Sequence, residues 1–451
     1  MRQDLRRLIK LSLPLVVSQV GQMTIGVVDT MMVGHINNTA LAAASLGHAW
    51  SHAILFMILG VAMGVDPIIS QSHGAGDSGA VAIAFQRGIF ISFLLSIPAS
   101  ILWLLTEPAL LLFRQDPELA RLAGRYVSVQ VPTLWAFFLF NVNRLYLAGR
   151  GISAPYVWAV LFANILNVLF NWILVFGNLG FPAMGLEGAG IAGAATRLVL
   201  AGSLLGLTFG TGLHRDAWIP WTRKVFEMRA IGALLLLGLP IGLQFGFEAW
   251  AFQIATLMAG MLGANELGAH TIVLNLAALA FMMPLGLSMG ASARIGNLIG
   301  AGDIAGAIRN ARLSLVLGAG VMGLSASAFL IFRHQLPVLF GAEPRVAELA
   351  ISIVPIAAAF QLFDGLQVVG SGVLRGMGRT RPSAIFNFVG YYLFALPMAY
   401  WMAFHTTAGL RGLWWGLAIG LALVAIALVA WIKREGSDWM AKGTTRSVGL
   451  R

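Results

Sequence analysis

The sequence predicts an all-α integral membrane protein with twelve transmembrane helices. They are expected in two six-helix bundles related by a pseudo-twofold axis along the membrane normal. Three observations carry this reading. Of 451 residues, 58% are hydrophobic and 10% charged, whereas soluble domains carry roughly 25% charged residues. Apolar stretches of about 20 or more residues, long enough to cross a bilayer as helix, recur along the whole length. Finally, the segment 13–77 returns at 239–303, at the same offset at both ends (239 − 13 = 303 − 77 = 226).

The repeat runs from Leu13-Pro14 to Gly74-Ala75-Gly76-Asp77 and again from Leu239-Pro240 to Gly300-Ala301-Gly302-Asp303. Met32/Met258, Gly34/Gly260, Leu41/Leu267, Leu59-Gly60/Leu285-Gly286 and Met63-Gly64/Met289-Gly290 coincide between these ends. Later in each half, Leu147-x-Gly149-x-Gly151-x-x-x-Pro155 matches Leu374-x-Gly376-x-Gly378-x-x-x-Pro382, and Gly185-Leu186-x-Gly188 matches Gly409-Leu410-x-Gly412.

Apolar runs place the spans of the first half at 11–35, 42–72, 84–106, 122–147, 155–177 and 186–209. Those of the second half fall at 230–262, 267–298, 308–332, 346–373, 382–405 and 409–432. The expected organisation is an N-terminal bundle over 1–209, a cytoplasmic linker over 210–229, a C-terminal bundle over 230–435 and a polar tail over 436–451. The linker is the longest polar break and carries His214, Arg215, Asp216, Arg223, Lys224, Glu227 and Arg229. Six spans per half is an even number, so both halves enter the membrane in the same direction, as in transporters built from parallel repeats. The functional expectation is a cleft between two similar bundles that opens to either side.

The net charge of +11 is a membrane signature rather than a nucleic-acid one. Arg2, Arg6, Arg7, Lys10, Arg144, Arg150, the 210–229 connection, Arg309, Arg312, Arg375, Arg379, Arg381, Lys433 and Arg434 fall on one side of a twelve-span topology. The loops 36–41, 178–185 and 263–266 on the other side hold no Lys or Arg. This asymmetry puts both termini in the cytoplasm. The first apolar run extends to about residue 35, too long for a cleaved signal. With no cysteine, disulfides and thiolate metal sites are excluded.

Among the carboxylates that fall inside these spans, three stand out: Asp29, Glu248 and Asp364. An ionisable group in hydrocarbon costs at least about 2.5–3.5 kcal/mol, so it should face the bundle interior or water and serve a function. The repeat sharpens the point, because Asp29 corresponds to Ala255 and Glu248 to Gln22. Each half has its own polar chemistry. Gln19, Gln22, Gly26 and Asp29 share one helix face by their spacing, and Asp29 lies about 28 Å along the helix from Lys10. Asn164, Asn167 and Asn171 form a stripe on the fifth span that wants a polar partner across a helix interface. Asp29 is the expected partner, with Thr196 joining. In the second half Gln244 and Glu248 are one turn apart, and Gln361, Asp364 and Gln367 cover one arc of the tenth span. Glu248 lies at the depth of Asp29, about 28 Å from Arg229, and Asp364 about 16 Å from Arg375. Two acids at similar depth can share a proton or hold a monovalent cation. Arg294 and Arg197 read as snorkelling or helix-end residues, and the deep negative charge favours cationic guests.

Other motifs fail. Gly188-x-Gly190-x-x-Gly193 fits a dinucleotide pattern but follows no strand, and its small residues suit close helix packing. His48 and His52 are four apart without a third ligand and read as a helix-end or interfacial pair. No nucleophile elbow, phosphate loop or zinc-protease motif is present, so no enzyme is expected and no cofactor beyond a coupling ion. Phe252 and Met282-Met283 are candidates for contact with flat, lipophilic molecules. Pro14 and Pro240, early in matching spans, are candidate hinges.

The string Gln22-Met23-Thr24-Ile25-Gly26-Val27-Val28-Asp29-Thr30-Met31-Met32-Val33-Gly34 resembles the first-span signature of the multidrug and toxic compound extrusion (MATE) family, NorM-type branch. Pro14, Asn167, Asn171, Glu248, Gly300-Ala301-Gly302-Asp303, Gln361-Leu362-Phe363-Asp364-Gly365-Leu366-Gln367 and Leu374-Arg375-Gly376-Met377-Gly378 extend the likeness along the chain. One departure is Phe360, where some relatives carry a Tyr near the tenth-span acid. The resemblance implies a V-shaped cleft and export of organic cations and lipophilic drugs in exchange for Na⁺ or H⁺. It also implies a multi-pass protein of the bacterial inner membrane. Glu248 and Asp364 would carry the cation of the second half. Asp29, Asn167, Asn171 and Thr196 would form the site of the first, with Gln22, Gln244 and Gln361 as further polar contacts. The expected partners are small organic cations and the lipid bilayer, with no nucleic acid and no need for more than a monomer. The rival reading is a flippase of lipid-linked polar headgroups, which would prefer basic residues in the cleft.

Overall fold

The computed structural model describes residues 2–436, and the expected tail, apart from Gly436, lies outside them. The described chain is helical. In the first half the order is α1 (Arg2–Gly34), α2 (Asn38–Ala62), α3 (Val65–Gly74), α4 (Ser78–Leu104), α5 (Thr106–Leu112), α6 (Pro117–Ser128), α7 (Leu134–Gly149), α8 (Ala154–Leu174) and α9 (Gly185–Gly210). The second half continues with α10 (Met228–Leu262), α11 (Ala264–Gly300), α12 (Ile304–Ile331), α13 (Pro344–Gly376), α14 (Arg381–Phe388), α15 (Leu396–Phe404) and α16 (Gly409–Arg434). A π-helical turn over Val389–Ala395 joins α14 to α15.

Among the described residues, eleven helical runs are long and apolar enough to span a membrane. The twelfth, expected at 122–147, is present but broken. It consists of α6 and α7 joined by a 3₁₀ turn over Val131–Thr133. Pro132 causes the break, since it has no N–H to donate and restricts the residue before it. The Thr133 hydroxyl closes the turn by donating to the Gln130 carbonyl at 2.9 Å.

The repeated motifs turn out to be helix punctuation. Gly76 and Gly302 adopt φ +74° and +76°, a left-handed conformation that glycine tolerates without strain. Asp77 and Asp303 then accept from the backbone N–H of Ala80 at 2.8 Å and Gly306 at 2.7 Å, capping α4 and α12. The later motif does the same job, with Gly151 and Gly378 at φ +74° and +72° and Pro155 and Pro382 in the first turns of α8 and α14.

The chain separates into two compact units, Val17–Gly242 and Met1–Val16 with Leu243–Arg451. This division departs from the 1–209 and 230–435 bundles expected from the repeat, because α1 and α10 each contribute to both units. The two breaks, at 16/17 and 242/243, are themselves separated by the repeat offset (242 − 16 = 226), and Pro14 and Pro240 lie two residues before them. Glycine packing explains why. In the first unit a Cβ on Gly60 would sit 2.6 Å from the Gly242 Cα, and one on Gly64 would sit 2.7 Å from the Gly238 nitrogen. In the other unit a Cβ on Gly286 would sit 2.5 Å from the Val16 Cα, and one on Gly290 would strike Ser12. These are the repeated Leu-Gly and Met-Gly pairs, one turn apart. They bring helix backbones into direct contact, which is how small residues drive association in lipid.

The 210–229 connection is tied down within the first unit rather than running free. Gln86 donates to the Ile219 carbonyl at 2.7 Å, Arg87 to Lys224 at 2.7 Å, Arg150 to Leu213 at 2.6 Å and Tyr146 to Ala217 at 3.0 Å.

Gly64→Val places a branched side chain against the backbone of α10, where nothing flexible can yield. The expected cost is about 1–3 kcal/mol of overpacking, seen as a lower thermal unfolding midpoint in detergent. Gly26→Ala, with nothing within 4 Å of its Cβ position, should leave that midpoint unchanged.

Candidate ion-coupling sites

In the unit formed by Val17–Gly242, Asp29 is buried deep in α1 at 6% exposure. Its Oδ1 accepts from the Asn167 amide at 2.9 Å and the Asn171 amide at 2.7 Å. The two asparagines are one turn apart on α8, so both amides converge on one carboxylate oxygen. Asn167 also donates to Thr196 Oγ1 on α9 at 3.2 Å, and Thr196 donates to the Ala192 carbonyl at 2.8 Å. The side-chain Oδ1 atoms of both asparagines are buried and take no hydrogen bond. A carboxylate with unpaired amide oxygens around it is the donor set that a hard monovalent cation prefers. Among the described residues no three of the His, Asp and Glu side chains form a metal cluster.

The expected quartet of Asp29, Asn167, Asn171 and Thr196 is therefore assembled. Two neighbours depart from expectation. Asn164 does not reach Asp29 but donates to the Gly21 carbonyl at 3.0 Å. Gln22 stays on its own helix, donating to Gln19 Oε1 at 3.2 Å. Gln19 in turn is held by the buried guanidinium of Arg144.

In the other unit, Glu248 of α10 and Asp364 of α13 are buried at 8% and 4% exposure and close enough to interact electrostatically. Gln367 lies beside Glu248 and donates to Asn387 of α14 at 2.9 Å. Gln244 turns to Ser371 at 3.2 Å instead of joining the acids. Gln361 is wholly buried, and neither its oxygen nor its nitrogen has a partner. Glu248 Oε2 is likewise unpartnered. Buried polar atoms without partners are rare, and here Gln361, Gln367 through its Oε1, and a third residue carry them beside Glu248.

Sequence reasoning missed Tyr391, the third. It lies in the π-helical turn, is wholly buried, faces both acids electrostatically and has an unpartnered hydroxyl. The signal was faint, a tyrosine following Gly390. That glycine is required because a Cβ there would strike Val424 of α16. Phe360 packs 5.9 Å from Phe252 and 6.2 Å from Trp414 between ring centroids, so Phe252 belongs to an aromatic group inside this unit.

Arg197 and the histidine pair also differ from their expected placing. Arg197 is mid-helix in α9, donating to Gln130 Oε1 at 2.8 Å with its guanidinium 5.2 Å from the Trp103 ring. His48 and His52 are mid-helix in α2, and His48 Nε2 lies 2.8 Å from the Tyr126 hydroxyl. Arg197 was expected as a snorkelling or helix-end residue and the histidines as a helix-end or interfacial pair, because a polar residue in an apolar run looks terminal until a partner on another helix is found. Arg294, expected at a helix end, lies in the last two turns of α11. Gly188 and Gly190 pack against Leu174 and the Tyr126 carbonyl as close-approach residues.

Comparison with known proteins agrees with the duplicated helical fold. The family model described as MatE matches twice, over residues 14–173 and 240–401, the two starts displaced by the repeat offset (240 − 14 = 226). The chain is 35% identical over 428 residues to the multidrug resistance protein NorM of Burkholderia vietnamiensis, covering 94% of this chain and 92% of that protein. It is 32% identical over 432 residues to human multidrug and toxin extrusion protein 1, covering 96% and 75%. Its fold superposes on the crystal structure of the eukaryotic MATE transporter AtDTX14 with a TM-score of 0.91 at 24% identity, covering 99% of each chain. By its duplicated sequence, its helical architecture and these matches over most of its length, the chain belongs to the MatE family of membrane transporters.

Proposed function

We propose that this MatE-family transporter is a secondary antiporter, exporting organic cations and lipophilic drugs in exchange for Na⁺ or H⁺ by alternating access. The observation that carries the reading is the state of its buried acids. Asp29, Glu248 and Asp364 lie within spans, and among the described residues none has a Lys or Arg within ion-pair distance. Such charge must be compensated by something that comes and goes, a proton or a cation. Asp29 with Asn167, Asn171 and Thr196 forms one loading site, and Glu248 with Asp364 and Tyr391 the other. A coupling ion drives transport only if it binds one state better than the other. Pro14 and Pro240, inside α1 and α10, serve as bending points. Both termini face the cytoplasm of a bacterial inner membrane.

In vesicles, ethidium efflux should respond to an imposed Na⁺ or pH gradient. Asp29→Asn, Glu248→Gln and Asp364→Asn should each reduce that gradient-driven efflux at least about tenfold, a loss of about 1.4 kcal/mol in coupling. Undiminished efflux in all three would remove the acids from the mechanism.

Asn171→Ala separates the two ions by sign. The amide donates to a charged carboxylate, a bond of about 1.5–3 kcal/mol. With Na⁺ as coupling ion, its loss should raise the Na⁺ concentration at half-maximal efflux about tenfold or more. With H⁺, the less stabilised carboxylate takes its proton more readily, so half-maximal efflux moves to lower proton concentration. Parallel Na⁺ and pH titrations of efflux read the difference.

A further inference from the structure

Within the Val17–Gly242 unit, Arg197 is a half-buried cation that the proposed mechanism does not use. It lies one residue beyond Thr196 on α9. Its Nη2 donates to Gln130 Oε1 at 2.8 Å, and its guanidinium lies over Trp103. Its Nη1 is buried and has no partner. Gln130 is held by its own donation to the Tyr126 carbonyl at 2.8 Å. On the other side of the same glycine stands Asp29. A Cβ on Gly193 would lie 3.6 Å from Asp29 Oδ2 and 3.5 Å from Gln130 Oε1. Both amide bonds to Asp29 fall on Oδ1, so Oδ2 is the oxygen that faces the arginine's anchor. A guanidinium with an unpaired N–H group and a carboxylate with a free oxygen thus flank a residue that has no side chain to separate them.

We propose that Arg197 is a positioning residue, a tethered counter-cation that competes with the transported ion for Asp29. With the ion on Asp29, the guanidinium stays on Gln130 and Trp103. As the ion leaves, Nη1 moves to Oδ2 and takes over the charge. The device keeps the deep acid from holding its ion too tightly. It rests on the reading of Asp29 as a coupling site. Of the other titratable groups, Tyr126 of α6 lies near both Asp29 and Arg197, His48 and His52 of α2 lie near Arg197, and α8 presents only Asn167 and Asn171. None of these supplies a permanent positive charge, which leaves the competing role to Arg197.

The test uses the full-length transporter in phosphatidylethanolamine–phosphatidylglycerol vesicles. Ethidium efflux is titrated with Na⁺ at fixed pH and with H⁺ at fixed Na⁺, for wild type, R197Q, R197K, D29N and D29N/R197Q. R197Q is expected to reach half-maximal efflux at about tenfold lower concentration of the coupling ion, the scale of one unit charge removed at short range. Its maximal rate should be lower because release is slower. R197K, which keeps the charge, should restore most of the wild-type value. D29N/R197Q should match D29N, because without the acid the arginine has nothing to compete for. An R197Q half-point within twofold of wild type, while D29N abolishes ion dependence, overturns the proposal alone. An ion dependence untouched by D29N overturns the coupling role of Asp29 and the proposal with it. A second measurement does not depend on R197Q folding. Trp103 emission, taken as the difference between wild type and W103F, should change saturably with the ion at the same half-point. An unchanged difference also overturns the proposal.

Discussion

The constraint behind this structure is that a carboxylate inside a bilayer cannot be left to solvent. Water is absent from the hydrocarbon region, so every polar group there must find its partner in the protein. Asp29 finds two amide donors on one face of α8, spaced so that a single helical turn presents both. That arrangement satisfies the carboxylate by hydrogen bonds and leaves its full charge uncompensated. The acid pair Glu248 and Asp364 is solved differently, with almost no donors and several unpartnered polar atoms around it. One duplicated frame therefore carries two unlike solutions to one electrostatic problem.

Close helix packing makes those burials possible. Without a hydrophobic driving force between helices in lipid, association depends on backbone approach through small residues. The pairs Gly60/Gly64 and Gly286/Gly290 provide it in corresponding places, one against α10 and one against the start of α1. Gly188 and Gly190 do the same against Leu174 and the Tyr126 carbonyl, and Gly193 leaves open the space between the Asp29 carboxylate and Gln130. The glycines of this chain thus serve two purposes, docking helices and clearing room beside buried charge.

The parts of the architecture that depend on local chemistry were legible early. Composition and apolar runs established the membrane class, and the repeat established duplication. The Gly-Ala-Gly-Asp strings read as shared features and proved to be a left-handed glycine followed by an N-cap. The fourth span was placed correctly but not its break, because Pro132 in an apolar run does not by itself distinguish a kink from an interruption. The meeting of Asp29 with the asparagine stripe was anticipated from helical spacing, since i, i+3 and i+4 positions share a face whatever the tertiary context, and the family resemblance implied the quartet. The grouping of Gln22, Gln244 and Gln361 with the acids was not met by hydrogen bonding. Long amides have several partners in reach, and which one wins is decided across helices.

By itself, the sequence determined that this is a duplicated helical membrane protein, with acids at unmatched positions in each half. It did so because span length, periodicity and charge placement are local consequences of putting a chain through a bilayer. Only the tertiary structure decided which polar groups meet. Arg197 looked like a helix-end residue and lies instead beside Gln130 and Trp103. Tyr391 gave almost no signal and faces the acid pair. The compact units cross the repeat boundary through α1 and α10. These outcomes depend on contacts between residues far apart in the chain, and such contacts are selected by packing rather than by spacing.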